Sequence, residues 1–281
     1  MNLLYLFATT TAYAVIACFF MWVAKKLADS RVADDFDANY EVEEQSNLAL
    51  ALRRAGLYVG VAVGMLGALS GRSTGFVSDV KELALDGALV TVFLFVTLYI
   101  NNWVIVHGID NDGAIRQKNV AVGFAELGSY VATGLIAYGA FSGQGGGVLS
   151  SIVFFALGQA ALLVIVVLYE AVTAFRVIEE IRANNASAGL MLAGMVVALG
   201  WIIKASIVGD FHGWSQDLST FGVSAAIGII LLLLFTVPVD KLFLPGTTIR
   251  TEIERDQNVA AIAVTVGVKV SVALVIGAVV V

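Results

Sequence analysis

Apolar runs alternate with short polar stretches along the whole chain. Eight runs can be read, at roughly 3–24, 48–70, 84–106, 120–141, 149–173, 186–208, 219–240 and 259–281. Each is close to the ~20 apolar residues that a bilayer-spanning helix requires. The pattern predicts an all-α membrane protein of eight transmembrane helices. Little of the chain remains for a soluble domain.

The second, fourth, sixth and eighth runs open in the same way. An Asn is followed nine residues later by a Gly: Asn47 and Gly56, Asn119 and Gly128, Asn185 and Gly194, Asn258 and Gly267. Small or aliphatic residues follow each Asn at the second and third positions. Self-similarity of this kind decides architecture before local detail does. Successive Asn residues are 72, 66 and 73 positions apart, but alternate ones are 138 and 139 apart. The longer period is the more regular. A helical hairpin doubled into a four-helix unit, which then doubled again, accounts for both periods. The expected repeats are 1–141 and 142–281. Each holds an even number of spans, so they insert the same way up and are parallel rather than inverted.

Asn near a helix start satisfies free N–H groups, and a small residue lets helix backbones approach closely. Nine residues is half a turn beyond two full turns, so Asn and Gly face different neighbours. Capping and packing are the first reading of the repeat; direct contact of the Asn residues with a solute is the second.

Composition agrees with the membrane assignment. The chain is 59% hydrophobic and 14% charged, against roughly 25% charged in soluble domains, and its mean hydropathy is +0.90. A net charge of −6 gives no reason to expect nucleic acid. Cys18 is the only cysteine, so no disulfide within the chain can form. The first run has no basic residues before it, while Lys25 and Lys26 follow it. That flank pattern predicts a retained anchor rather than a cleaved signal. Twelve Lys and Arg residues fall in the loops after odd-numbered runs, among them Arg31, and two, Arg72 and Lys81, fall on the other side. The positive-inside rule then places both termini outside and the four Asn residues at the cytoplasmic interface.

Asn258-Val259-Ala260-Ala261 with Gly267 resembles the hallmark of the YjfL-like bacterial inner-membrane family, domain of unknown function 350. Asn119-Val120-Ala121 with Gly128 and Asn47-Leu48-Ala49 with Gly56 are near matches, and Asn185-Ala186-Ser187-Ala188 departs at its second position. The resemblance covers the whole chain as two tandem copies of a four-span unit. It implies a bacterial cytoplasmic (inner) membrane and brings no catalytic residues. It also implies the company of membrane-stress proteins of the PspA type.

Charges at membrane depth are costly and mark candidate sites. Seven residues after each Asn lie Arg54, Glu126, Leu192 and Thr265; eleven after it lie Tyr58, Tyr130, Val196 and Lys269. Offsets of zero, seven and eleven share a helical face. Glu126 is therefore expected to meet Arg54 or Lys269, in a polar seam with Tyr58, Tyr130 and Thr265. Glu170 and Asp240 add carboxylates toward the cytoplasmic end. The seam reads either as a structural ion-pair network that fixes helix register or as a path for a proton, ion or small solute. It would also suit a homo-oligomer interface. Lys204 falls off the Asn face, near the outer end, where it can snorkel.

The remaining polar groups are weaker signals. His107 lies near Asp110 and Asp112, and His212 between Asp210 and Asp217. One His with loosely spaced carboxylates is a poor metal motif, so no metal or cofactor is expected. No catalytic triad stands out, and an enzyme is not expected. Gly143 to Gly147 lacks the following Lys of a phosphate loop. The acidic segment 28–46, which includes Asp34 and Asp35, reads as a solvated loop or a docking site for a cytoplasmic partner. Two functions follow: movement or sensing of a small ion or solute, or a non-catalytic scaffold in an envelope-stress system.

Overall fold

The computed structural model describes residues 3–30, 36–70, 73, 75–173 and 176–280. Arg31, Asp34, Asp35 and Arg72 lie outside them, as does the side chain of Asp240. Eight helices are long and apolar enough to cross a membrane. They are α1 (Leu3–Asp29), α3 (Leu48–Leu69), α4 (Phe76–Val104), α6 (Val120–Phe141), α7 (Gly147–Val172), α9 (Ala186–Ile207), α10 (Trp214–Phe243) and α11 (Val259–Val279). Three short helices, α2 (Ala38–Glu43), α5 (Asn111–Arg116) and α8 (Val177–Arg182), precede α3, α6 and α9, and a π-helical turn (Thr251–Arg255) precedes α11.

Two helices differ at their ends from the sequence reading. Helix α4 starts at Phe76, eight residues before its apolar run, and so carries Asp79, Lys81 and Glu82 on its first turns. Helix α10 extends past both ends of the 219–240 run, from Trp214 to Phe243, and runs through Pro238. Pro costs an internal hydrogen bond, and membrane helices tolerate that loss better than soluble ones.

The helices form two layers. The four that open with Asn lie in a row: α3 packs on α6, α6 on α9 and α9 on α11. The others sit over the seams of this row. Helix α4 touches both α3 and α6, α7 touches α6 and α9, α10 touches α9 and α11, and α1 touches α3 and α4.

Backbone crossings within the row are very close because the crossing positions lack side chains. A Cβ on Gly56 would lie 2.5 Å from the Cα of Leu127, and one on Gly128 would lie 2.4 Å from the Cα of Ala193. Gly194 instead receives the Val266 side chain of α11. This repeated contact is the packing role that small residues play between membrane helices.

Each Asn caps its own helix, and three of the four also hold the next module. Its side-chain oxygen accepts a backbone N–H of its own helix: Leu50 for Asn47, Val122 for Asn119, Ser187 for Asn185 and Ala261 for Asn258. Its amide nitrogen then donates to the short helical turn that precedes the next row helix. Asn47 Nδ2 donates to the Ile115 carbonyl at 3.0 Å, Asn119 to Ile181 at 3.0 Å and Asn185 to Ile253 at 2.7 Å. Asn258 makes no such second bond among the described residues, and it alone of the four is exposed.

The residue before each Asn has a positive φ: Ser46 at 50°, Lys118 at 59°, Asn184 at 63° and Gln257 at 48°. That left-handed residue ends the short turn, as a left-handed residue ends many helices. It lets the Asn backbone N–H close on the turn, for example from Asn119 to the Ala114 carbonyl at 2.9 Å.

Replacing Asn119 by Ala removes a cap, worth about 1 kcal/mol, and also the buried bond to the Ile181 carbonyl, worth about 0.5–1.5 kcal/mol. The same change at Asn258 removes the cap alone. Unfolding of both variants in mild detergent should therefore show Asn119→Ala as clearly the more damaging.

Candidate functional site

The intramembrane carboxylate of Glu126 is 1% exposed. Its partner is Arg53, from the neighbouring row helix α3. Arg53 Nε donates to Glu126 Oε2 in a very short contact, and Nη2 donates to Oε1 at 2.9 Å. Asn111 on α5 adds a donor to the same oxygen at 3.3 Å. The third nitrogen of Arg53 reaches Asp112 Oδ1 at 2.7 Å. Asp112 is 42% exposed, so the network leads from the buried carboxylate to the surface at the Asn end.

A bidentate guanidinium–carboxylate pair is the strong form of this contact. Burial of both groups makes it sensitive, since either charge left alone would be uncompensated.

Arg54 points elsewhere. Its Nη2 meets Asp29 Oδ1 at 2.7 Å and its Nη1 meets Asn39 Oδ1 at 3.2 Å. It thereby ties α3 to α1 and α2. Asp29 also pairs with Lys25 at 3.3 Å. Lys269 is buried on α11 with its Nζ 3.9 Å from the Met191 sulfur of α9. The expected meeting of Glu126 with Arg54 or Lys269 does not occur. Thr265 is buried and donates to the Ala261 carbonyl at 3.1 Å, and Tyr130 is buried at the crossing with Gly60. Tyr58 is half-buried. Glu170 lies apart from this group, with Oε2 3.8 Å from His107 Nδ1.

One layer of the row thus changes its chemistry from seam to seam. Six residues after each Asn stand Arg53, Ala125, Met191 and Val264. Between α3 and α6 the layer holds an ion pair. Between α6 and α9 the corresponding residues, Ala125 and Leu192, are apolar and buried. Between α9 and α11 the offset-six residue Met191 instead meets Lys269, at offset eleven, so a thioether lies against an ammonium group.

At the opposite end lies a recess of about 950 Å³. Asp79, Glu82 and Asp86 of α4 line it, with Asp210 from the α9–α10 connection and Asp217 from the first turn of α10. Its floor includes Gly139 and Ala140 of α6. Two connections are stitched together there: Phe211 N–H donates to the Gln144 carbonyl and Gln144 N–H to Asp210 Oδ1, both at 2.8 Å. Lys204, near this end, sits 4.4 Å from the Tyr138 ring centroid and 4.6 Å from that of Trp201, a cation–π arrangement. Among the described residues, no three His, Cys, Asp or Glu side chains gather to hold a metal ion.

At the Asn end the short helix α2 is solvated. Asp37 caps it, and the N–H groups of Tyr40 and Asn39 hold the Asp37 carboxyl below its ordinary range. That contribution is present above the unfolded pKa and fades as pH falls through the depressed value.

Sequence reasoning missed Arg53, Asn111 and Asp112 as members of the network. The available signal was the Arg53-Arg54 pair itself, which sets two cations about 100° apart on one helix.

The model for the family described as Domain of Unknown Function (DUF350) matches residues 2–141 and again 145–280. The chain belongs to this family, in two tandem copies. It is also similar to a UPF0719 transmembrane protein of Aquifex aeolicus (strain VF5), 23% identical over 243 residues, which are 85% of this chain and 88% of that protein. No solved structure matches the chain.

Proposed function

We propose that this polytopic membrane protein moves or senses a small ion or solute, with the Arg53–Glu126 pair as its responsive element. The observation that carries this reading is a fully buried carboxylate at membrane depth that is linked through Arg53 to half-exposed Asp112. Intramembrane ionisable residues are expensive, and function is the usual reason for keeping them. An acidic recess lies at the opposite end of the bundle. The Lys and Arg distribution favours the Asn end as the cytoplasmic one, and the family resemblance favours a bacterial inner membrane.

The test is ion or proton flux, or a pH response, in proteoliposomes. Glu126→Gln should abolish the signal while insertion and extraction stay normal. The exchange Arg53→Glu with Glu126→Arg separates function from structure, since it restores a pair but reverses its direction. It should recover thermal stability without recovering flux. Unchanged flux in Glu126→Gln would sink the reading.

A scaffold for cytoplasmic stress-response partners of the PspA type is the second reading. It is favoured by the short α2 helix, whose Tyr40 is 52% exposed beside Glu43 and Glu44. Co-purification of a partner that is lost on deleting residues 28–46 would support it.

A further inference from the structure

The row α3–α6–α9–α11 is built by one operation applied three times, and its last helix carries the donor half of a fourth application. Three layers recur at every seam. In the first, the residue two after an Asn meets the residue four after the next Asn: the backbone of Ala49 lies against Gly123 and that of Ala121 against Gly189. Ser187 and Ile262 hold the same positions in the third seam, both 0% exposed. In the second layer, the Gly at offset nine receives the residue at offset eight: Gly56 with Leu127, Gly128 with Ala193 and Gly194 with Val266. In the third, offset thirteen meets offset fifteen: Gly60 with Gly134 and Ala132 with Gly200, then Ala198 and Ala273, both fully buried.

On α11 the corresponding positions are Ala260, Gly267 and Ser271, and all three are exposed. Nothing lies within 4 Å of a Cβ placed on Gly267. At the other end of the row, α3 offers the receiving positions Ala51, Ala55 and Ala62. Ala55 is exposed and the other two are half-buried.

Two further features mark the same missing neighbour. The Asn258 amide donates to no carbonyl among the described residues, whereas its three counterparts each hold the turn of the next module. Helix α1 has the least buried span of the eight, 6% against 25% or more for the others. Its counterparts α4, α7 and α10 each bridge two row helices, whereas α1 packs on one of them, α3, and on α4.

We infer that a second copy of this chain docks head to tail, with its α3 and α1 against α11. The contacts would be Ala260 with Ala51, Gly267 with Ala55 and Ser271 with Ala62 of the partner. Val264 stands where Arg53 stands in the first seam, so the layer beside the partner's Arg54 carries no carboxylate, and the contact is one of close backbone packing. The interface is heterologous: it uses different faces of the two copies, and it closes only as a ring of copies or extends as a filament. It does not depend on what the polar seam does.

Cross-linking tests the register directly. In a Cys18→Ser background, one pool carries Ala55→Cys and the other Gly267→Cys. Mixed and oxidised in proteoliposomes, they should give a disulfide-linked dimer of one chain from each pool. Leu234 is 64% exposed on α10 at similar depth, and Leu234→Cys mixed with Ala55→Cys should give none. Gly267→Leu should shift the mass in detergent from oligomer to monomer with helix content unchanged. The inference is overturned if the Gly267 and Ala55 pools link no better than the Leu234 control, or if the unmodified chain is monomeric at all concentrations. It is also overturned if another protein is what covers α11.

Discussion

Arg53→Ala should destabilise the protein by about 3–5 kcal/mol, the cost of stripping one partner from a buried ion pair. The change leaves Glu126 in the seam between α3 and α6 with only the 3.3 Å donor from Asn111. Replacing both partners by apolar residues, as in Arg53→Leu with Glu126→Leu, should recover much of the loss, because no charge then remains buried. Arg54→Ala provides the comparison. Its Asp29 partner is 25% exposed, so water can take over the freed carboxylate and the cost should be smaller. Equilibrium unfolding in mild detergent ranks the three. If Arg54→Ala proved as damaging as Arg53→Ala, the buried pair would not be what fixes this seam.

Gly128→Val should be nearly as severe, at about 3 kcal/mol, near the upper end for overpacking. The new Cβ falls 2.4 Å from the Ala193 Cα and 2.8 Å from the Ala193 carbonyl oxygen. Backbone cannot move aside as a side chain can, so α6 and α9 would have to separate along their length. Gly222→Ala on α10 is the control: nothing lies within 4 Å of the added carbon, and Ala is the better helix former. Insertion yield and melting temperature should fall for Gly128→Val and hold or rise for Gly222→Ala.

The eight spans and their fourfold pairing were legible because bilayer thickness writes itself as apolar run length and the Asn–Gly spacing survives in every copy. The short turns before each Asn were not legible. Six residues such as Asn111–Arg116 are too few for a periodicity, and the left-handed residue that ends each turn is Ser, Lys, Asn or Gln rather than the expected Gly. The choice of Arg54 over Arg53 failed for a geometric reason. Placing Glu126, Arg54 and Lys269 together assumed that equivalent positions converge, as they do about a rotation axis. In a row, each helix shows one face to the helix before it and another to the helix after it. Equal offsets then do not meet: Arg53 at offset six reaches Glu126 at offset seven, and Met191 at offset six reaches Lys269 at offset eleven.

The seam between α6 and α9 joins the two sequence repeats, yet it is made as closely as the seams inside them. Gly128 on Ala193, Gly189 on Ala121, Gly200 on Ala132 and the bond from Asn119 to Ile181 all cross it. Many repeat-built transporters work by rocking one half against the other. That stroke would have to tear these backbone contacts apart and remake them in every cycle. Any gating motion in this protein therefore belongs to the outer helices α1, α4, α7 and α10, sliding over a rigid keel.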